Sequence, residues 1–178
     1  MFLVNEIKKE LRASMNGILS ARMREAGMPY KLIFGVELPR LQSIADEFTP
    51  DKDLANKLWS ENIRECKLLA IMLMPPKEFT SELANTWKDG MVTAEEAQVL
   101  AMMLLSKTSR AKGISISWLK GNRYLPATCA CLCFRHLLMQ GVNINEKEQI
   151  IAECKRWLPE ANLHLRKAIQ ALTTALEE

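Results

Sequence analysis

Histidine is scarce in this chain, with two among 178 residues, and the seven glycines never cluster into a phosphate-cradling loop. Neither a nucleophile elbow nor paired cysteines at metal-ligand spacing is present. These gaps exclude the common nucleotide-binding, zinc-binding and hydrolase signatures. Long apolar runs are missing too. Lys, Arg, Glu or Pro interrupts every candidate before the roughly 18 residues of a membrane span. The opening MFLVNEIKKELR turns charged within six residues, so it lacks the apolar core of a signal peptide. Alternation of period two never persists, which leaves no convincing strand. The most unusual absence is of one charge sign: no Asp or Glu occurs from 97 to 145, a stretch of 49 residues.

What is present is ordinary in bulk. Hydrophobic residues make up 48% and charged residues 25%, values that suit a soluble domain with a real core. The five cysteines lie mostly inside apolar helical runs, as expected of buried free thiols in a reducing cytoplasm. Net charge is only +3, yet residues 41–100 carry six basic and eleven acidic side chains. The acid-free stretch holds Lys107, Arg110, Lys112, Lys120, Arg123 and Arg135. An uncompensated set of this kind can form an anion-attracting face on a nearly neutral chain.

The chain repeats itself. DLANKLWSENIRECKLLAIMLMPP (53–76) is echoed by ELANTWKDGMVTAEEAQVLAMMLLSK (82–107). Leu-Ala-Asn leads into Trp59 and Trp87, 28 residues apart, and Leu69-Ala70 matches Leu100-Ala101 at 31. Trp118 begins a looser third copy. A helix pair recurring at this period predicts an all-α, right-handed α-α superhelix, a solenoid of helix-pair repeats in which each unit buries its apolar face against its neighbours. About ten helices are expected in a single domain over 1–178: N-terminal helices and a loop to 50, two repeats over 51–107, and further pairs over 108–178.

Local signals place these helices. Apolar residues from Leu3 to Met23 form one stripe, predicting a long helix over 3–26 that stops at Gly27. Helices follow at about 38–47, after a Thr49-Pro50 cap, and at 63–74, where the chain is apolar all round. Pro75-Pro76 ends that helix and starts the next. Thr93 with Glu96 forms a capping box for 93–106. Further helices are expected at 110–120, 126–139, 145–157 (capped by Asn145 with Glu148) and 160–176. The four Trp residues read as packing anchors, and Met72, Met74, Met102 and Met103 as gap-filling core. Cys129, Cys133 and His136 share a helical face and could offer three metal ligands. The apolar run around them favours small core residues instead, so neither metal nor cofactor is expected.

A family resemblance rests on Tyr30, Phe34-Gly35-Val36, Leu38-Pro39, Arg40-Leu41, Ile44-Ala45, Leu58-Trp59, Arg64-Glu65 and Leu68-Leu69-Ala70. Together these resemble the AlkD-like DNA alkylation-repair family, HEAT-like solenoids that include glycosylases removing alkylated bases. The resemblance covers roughly residues 1–140 and past Lys107 is mainly helical rhythm. It implies an Asp on the helix over 93–106, one turn after a Trp. Aligning Leu100 and Leu104 puts Gln98 at the Asp position, with Ala94 or Glu95 near the Trp. A second family pair, Trp followed by Arg, falls on Tyr124 and Ala127, with Arg123 adjacent. Gln98 cannot supply the negative charge that stabilises an oxocarbenium-like sugar.

Three functions follow as expectations. The first is DNA or polyanion binding through Lys107, Arg110, Lys112, Lys120, Arg123, Tyr124 and Arg135, without efficient base excision. The second is an active glycosylase that uses Glu95 or Glu96. The third is a scaffold for a protein partner.

Overall fold

The computed structural model describes residues 2–177, which form eleven α-helices, two short 3-10 turns and no strand. One isolated bridge joins Leu32 to Ile63. The helices group into two compact units, Met1–Glu78 and Phe79–Glu178, and the boundary falls between the two sequence repeats.

The first unit holds α1 (Phe2–Ala13), α2 (Gly17–Glu25), α3 (Leu38–Asp46), α4 (Lys52–Trp59) and α5 (Arg64–Leu73). The single helix expected over 3–26 is two. Asn16 has extended backbone, and its side chain accepts a hydrogen bond from the Leu19 amide, so it caps a new helix rather than continuing the old one. The apolar stripe breaks with it: Ile7 and Leu11 are buried, whereas Met15 and Ile18 are exposed. The cap expected at Thr49-Pro50 belongs to Asp51, whose carboxylate accepts from the Leu54 amide at 2.7 Å. Helix α5 is buried along nearly its whole length, as its all-round apolar character requires.

A buried carboxylate organises this unit. Glu65, with no exposed surface, accepts from the amides of Phe34 (3.0 Å), Gly35 (2.9 Å) and Val36 (3.3 Å), and from the Arg64 guanidinium at 2.9 Å. Arg64 also donates to the Val36 carbonyl. Gly35 has φ +75°, and a Cβ there would overlap the Asn16 carbonyl and approach the Ser20 amide to 2.6 Å. The residues that carry the family resemblance here are therefore the ones that pin the 32–36 loop to α2 and α5.

The second unit holds α6 (Ser81–Gly90), α7 (Ala94–Met103), α8 (Ala111–Lys120), α9 (Tyr124–Met139), α10 (Lys147–Trp157) and α11 (Leu163–Glu177). Helix α9 is the hub, packed against α7, α8 and α11, while α10 packs on α8 and α11. The Thr93 cap forms, accepting from the Glu96 amide, and the Glu96 carboxylate reaches back to accept from the Val92 amide, one residue before the cap, at 2.8 Å. Pro75-Pro76 starts a 3-10 turn (Pro76–Glu78), and α6 begins later behind a Thr80 cap. The Asn145 cap does not form. That side chain accepts from the Asn143 amide group, and α10 starts at Lys147 without a side-chain cap. The final helix instead begins behind Asn162, whose side chain accepts from the Leu165 amide. All four Trp residues are buried, as is Met74, but Met102 is 42% exposed and is not core.

Candidate functional site

Four residues of α9, Thr128, Leu132, Arg135 and Met139, follow at spacings of four, three and four and so occupy one helical face. That face lines two adjoining depressions. The smaller, about 130 Å³, is closed by Ala94 and Gln98 of α7 and by His164, Lys167 and Ala168 of α11. The larger, about 410 Å³, runs along Arg135 and Met139 on one side and Lys167, Gln170, Ala171, Thr174 and Ala175 on the other. Lys167 belongs to both, so a single groove crosses α7, α9 and α11.

The electrostatics of this groove favour an anion. Ala94 opens α7 and His164 lies in the first turn of α11, so two helix N-termini meet at the smaller depression. Each brings a partial positive charge of about half a unit from its unpaired amides. Lys167 and Arg135 add full charges, and no carboxylate is among the residues lining either depression.

Gln98 is thus at the wall of a cleft, exposed, with a polar head that can donate and accept but carries no charge. Glu96 is fully buried and committed to the Val92 amide, and Glu95, half-buried, does not line the cleft.

The basic set is spread along the helices rather than gathered. Arg135 faces the groove. Lys107 and Arg110 are exposed where α7 has ended and α8 begins, and Lys112 in the first turn of α8 donates to the Asn143 carbonyl beyond α9. Lys120 and Arg123 are at the other end of α8, roughly 12 Å along its axis at 1.5 Å per residue. Arg123 ties α9 to α6 by donating to the Lys88 carbonyl (3.0 Å) and the Asp89 carboxylate (3.1 Å). Tyr124, 40% exposed, has its ring 5.6 Å from that of Trp157. Trp157 donates to the Leu119 carbonyl at 2.7 Å, and the Arg156 guanidinium lies over its ring.

Lys167 and His164 lie beyond the acid-free stretch, 97–145, that defines the basic set in the sequence. Their spacing of three on an amphipathic helix was the available signal. Among the described residues no group of His, Cys, Asp or Glu is placed to hold a metal ion, and Cys129 and Cys133 are fully buried in the core. No helix among them is long and apolar enough to cross a membrane.

No curated protein matches the chain. A solved structure superposes with a TM-score of 0.84 over 97% of this chain and 74% of its own, at 17% identity. It represents a new family of proteins related to the HEAT-like repeat DNA glycosylases with affinity for branched DNA structures. At that identity the likeness establishes the fold, which is HEAT-like. The family model described as DNA alkylation repair enzyme matches residues 7–172. The eleven helices, the HEAT-like fold and a match over nearly the whole chain place this protein in the DNA alkylation repair enzyme family.

Proposed function

We propose that this protein binds DNA through the groove crossing α7, α9 and α11 and does not excise bases by the carboxylate chemistry of its family. One observation carries the reading: Gln98, at the position where the family resemblance implies an Asp, lines a cleft with Lys167 and His164 and no carboxylate. A neutral amide in a cleft with Lys167 suits a phosphodiester, whose charge it does not repel. It cannot offset the positive charge that develops on a sugar as a base departs. Arg135 and Lys167 are the central contacts, with Lys107, Arg110 and Lys120 available for flanking phosphates.

The affinity for branched DNA of the structurally similar protein supports a junction as the first ligand to try. Binding of a four-way junction and a linear duplex is measured by gel shift across a salt series. Engagement of one phosphate by each of these five cations gives a slope of log K against log salt of about −4.5. Absence of binding at low salt overturns the reading. So does release of an alkylated base from damaged duplex at high protein concentration, with loss of that release in Glu95→Gln.

A further inference from the structure

One side chain is out of place in a groove that otherwise suits phosphates. Met139 lines the larger depression with Arg135 and Lys167, yet it is 68% exposed, more than any other large apolar side chain of α6 to α11. Met102, one turn beyond Gln98 on the same face of α7, is half-exposed too. Single exposed apolar residues are common on protein surfaces, but these two stand on helices that frame one cationic groove. We propose that Met139 is a wedge for an opened base step: while Arg135 and Lys167 hold phosphates, its side chain covers the base face that a DNA branch point leaves bare. The inference rests on the reading that DNA occupies this groove.

The backbone under this side chain is fixed. Helix α9 ends at Met139, where the Gly141 amide donates to the Leu138 carbonyl (2.9 Å) and the Val142 amide to the Leu137 carbonyl (3.0 Å), with Gly141 at φ +75°. The thioether chain itself is unbranched and adaptable, so it can follow an irregular apolar surface from a rigid base. Arg135 lies one turn earlier on the same face of α9, and Lys167 borders the same depression from α11. The wedge is thus set among the cations that would neutralise the neighbouring phosphates.

The apolar character selects the kind of DNA. A phosphodiester gains nothing from methionine, because it offers no apolar surface to cover. A continuous duplex keeps its base faces stacked on one another and presents only their polar edges. At a branch point a base face is uncovered, and methionine is among the side chains that insert as wedges at such steps. Taking the Met139 side chain out of water against that face is worth about tenfold in affinity. Linear duplex lacks this gain, so the wedge turns a general phosphate groove into one that prefers branched DNA.

The test titrates the full chain with a four-way junction, with the same junction carrying 2-aminopurine at a crossover base, and with linear duplex, all at one salt concentration. The wild type is expected to favour the junction by about tenfold and to raise 2-aminopurine fluorescence as the base unstacks. Met139→Ala and Met139→Gln should lose most of the preference and of the fluorescence rise, whereas Met139→Leu should keep both. Lys167→Ala should weaken both ligands and retain the preference. Met102→Ala should have a smaller effect than Met139→Ala, since Met102 does not line the depression. Circular dichroism of each variant separates a folding defect from a binding one. Absence of binding to either DNA overturns the groove reading and the wedge with it. Binding of both without preference, or a preference and fluorescence rise that survive Met139→Gln, overturns the wedge alone and leaves the groove standing.

Discussion

The Glu65 carboxylate and the Gly35 amide meet at 2.9 Å, and this contact fixes the loop between α2 and α3. Glu65→Ala leaves three loop amides without their acceptor and takes the carboxylate from the buried Arg64 guanidinium, which keeps its bond to the Val36 carbonyl. Removing one partner of a buried pair costs about 3–5 kcal/mol. Urea denaturation of the two proteins measures it. Glu65→Gln keeps the shape and one acceptor oxygen, so its loss should be smaller. A loss below about 1 kcal/mol for the alanine variant, the value of an ordinary neutral hydrogen bond, would show that the loop is held by other contacts.

Gly35 gives an independent check on the same loop. At φ +75° a side chain is strained, and the Cβ of Gly35→Ala would meet the Asn16 carbonyl, which is backbone and cannot swing aside. A non-glycine residue in this region costs about 1–2 kcal/mol before any clash is counted. The variant should therefore melt lower than the wild type, whereas Gly27→Ala, with open space around its Cβ, should lose only the conformational part.

Glu96 and Glu95 are adjacent in sequence but differ in duty. Glu96→Ala removes the acceptor of the Val92 amide and should cost about 1 kcal/mol, as loss of a capping interaction does. DNA affinity, measured where both proteins are folded, should not change. A large drop in affinity with unchanged stability would instead place Glu96 in the binding site.

Much of this was legible in the sequence because it is local. The Thr93 cap, the all-round apolar α5 and the repeated Trp59 and Trp87 anchors each depend on residues within a few turns of one another. The fold followed from them. The break at Asn16 was hidden because the apolar spacing runs through it, and only the Gly35 approach and the Phe34 carbonyl accepting from the Asn16 amide show why the helix must stop. The groove was half legible. Gln98 and Arg135 were identified from sequence, but their union with Lys167 and His164 depends on α11 packing against α9, a long-range contact that composition does not encode. Arg123 shows the converse: it reads as a free cation and is engaged by Lys88 and Asp89.

His136 predicts an acid sensitivity. Burial, with the neighbouring Arg135 charge adding to it, lowers its pKa from the usual value of 6.5. The folded chain therefore keeps His136 neutral where the unfolded chain has already taken up a proton. Stability from this group is present above about pH 6.5 and is lost as pH falls through the lower, folded value. His136→Gln should flatten this part of a stability-against-pH curve while leaving the carboxylate-dependent part at lower pH. An unchanged curve between pH 7 and 5 would show that the imidazole is free to protonate in the folded state.

The charge swaps separate a groove from a diffuse basic surface. Lys167→Glu places a carboxylate where both depressions and two helix N-termini converge, so it should abolish measurable binding at moderate salt. Lys167→Ala, losing one phosphate contact, should reduce the salt slope by about one. Arg135→Ala should do the same. Arg123→Glu sets a second carboxylate beside Asp89 and removes the tie to Lys88, so its main effect should be on thermal stability. The informative quantity is the order of affinity loss. If Arg123→Glu weakens junction binding more than Lys167→Glu at equal folded fraction, DNA lies across the α8 end of the unit, and the groove is not its site.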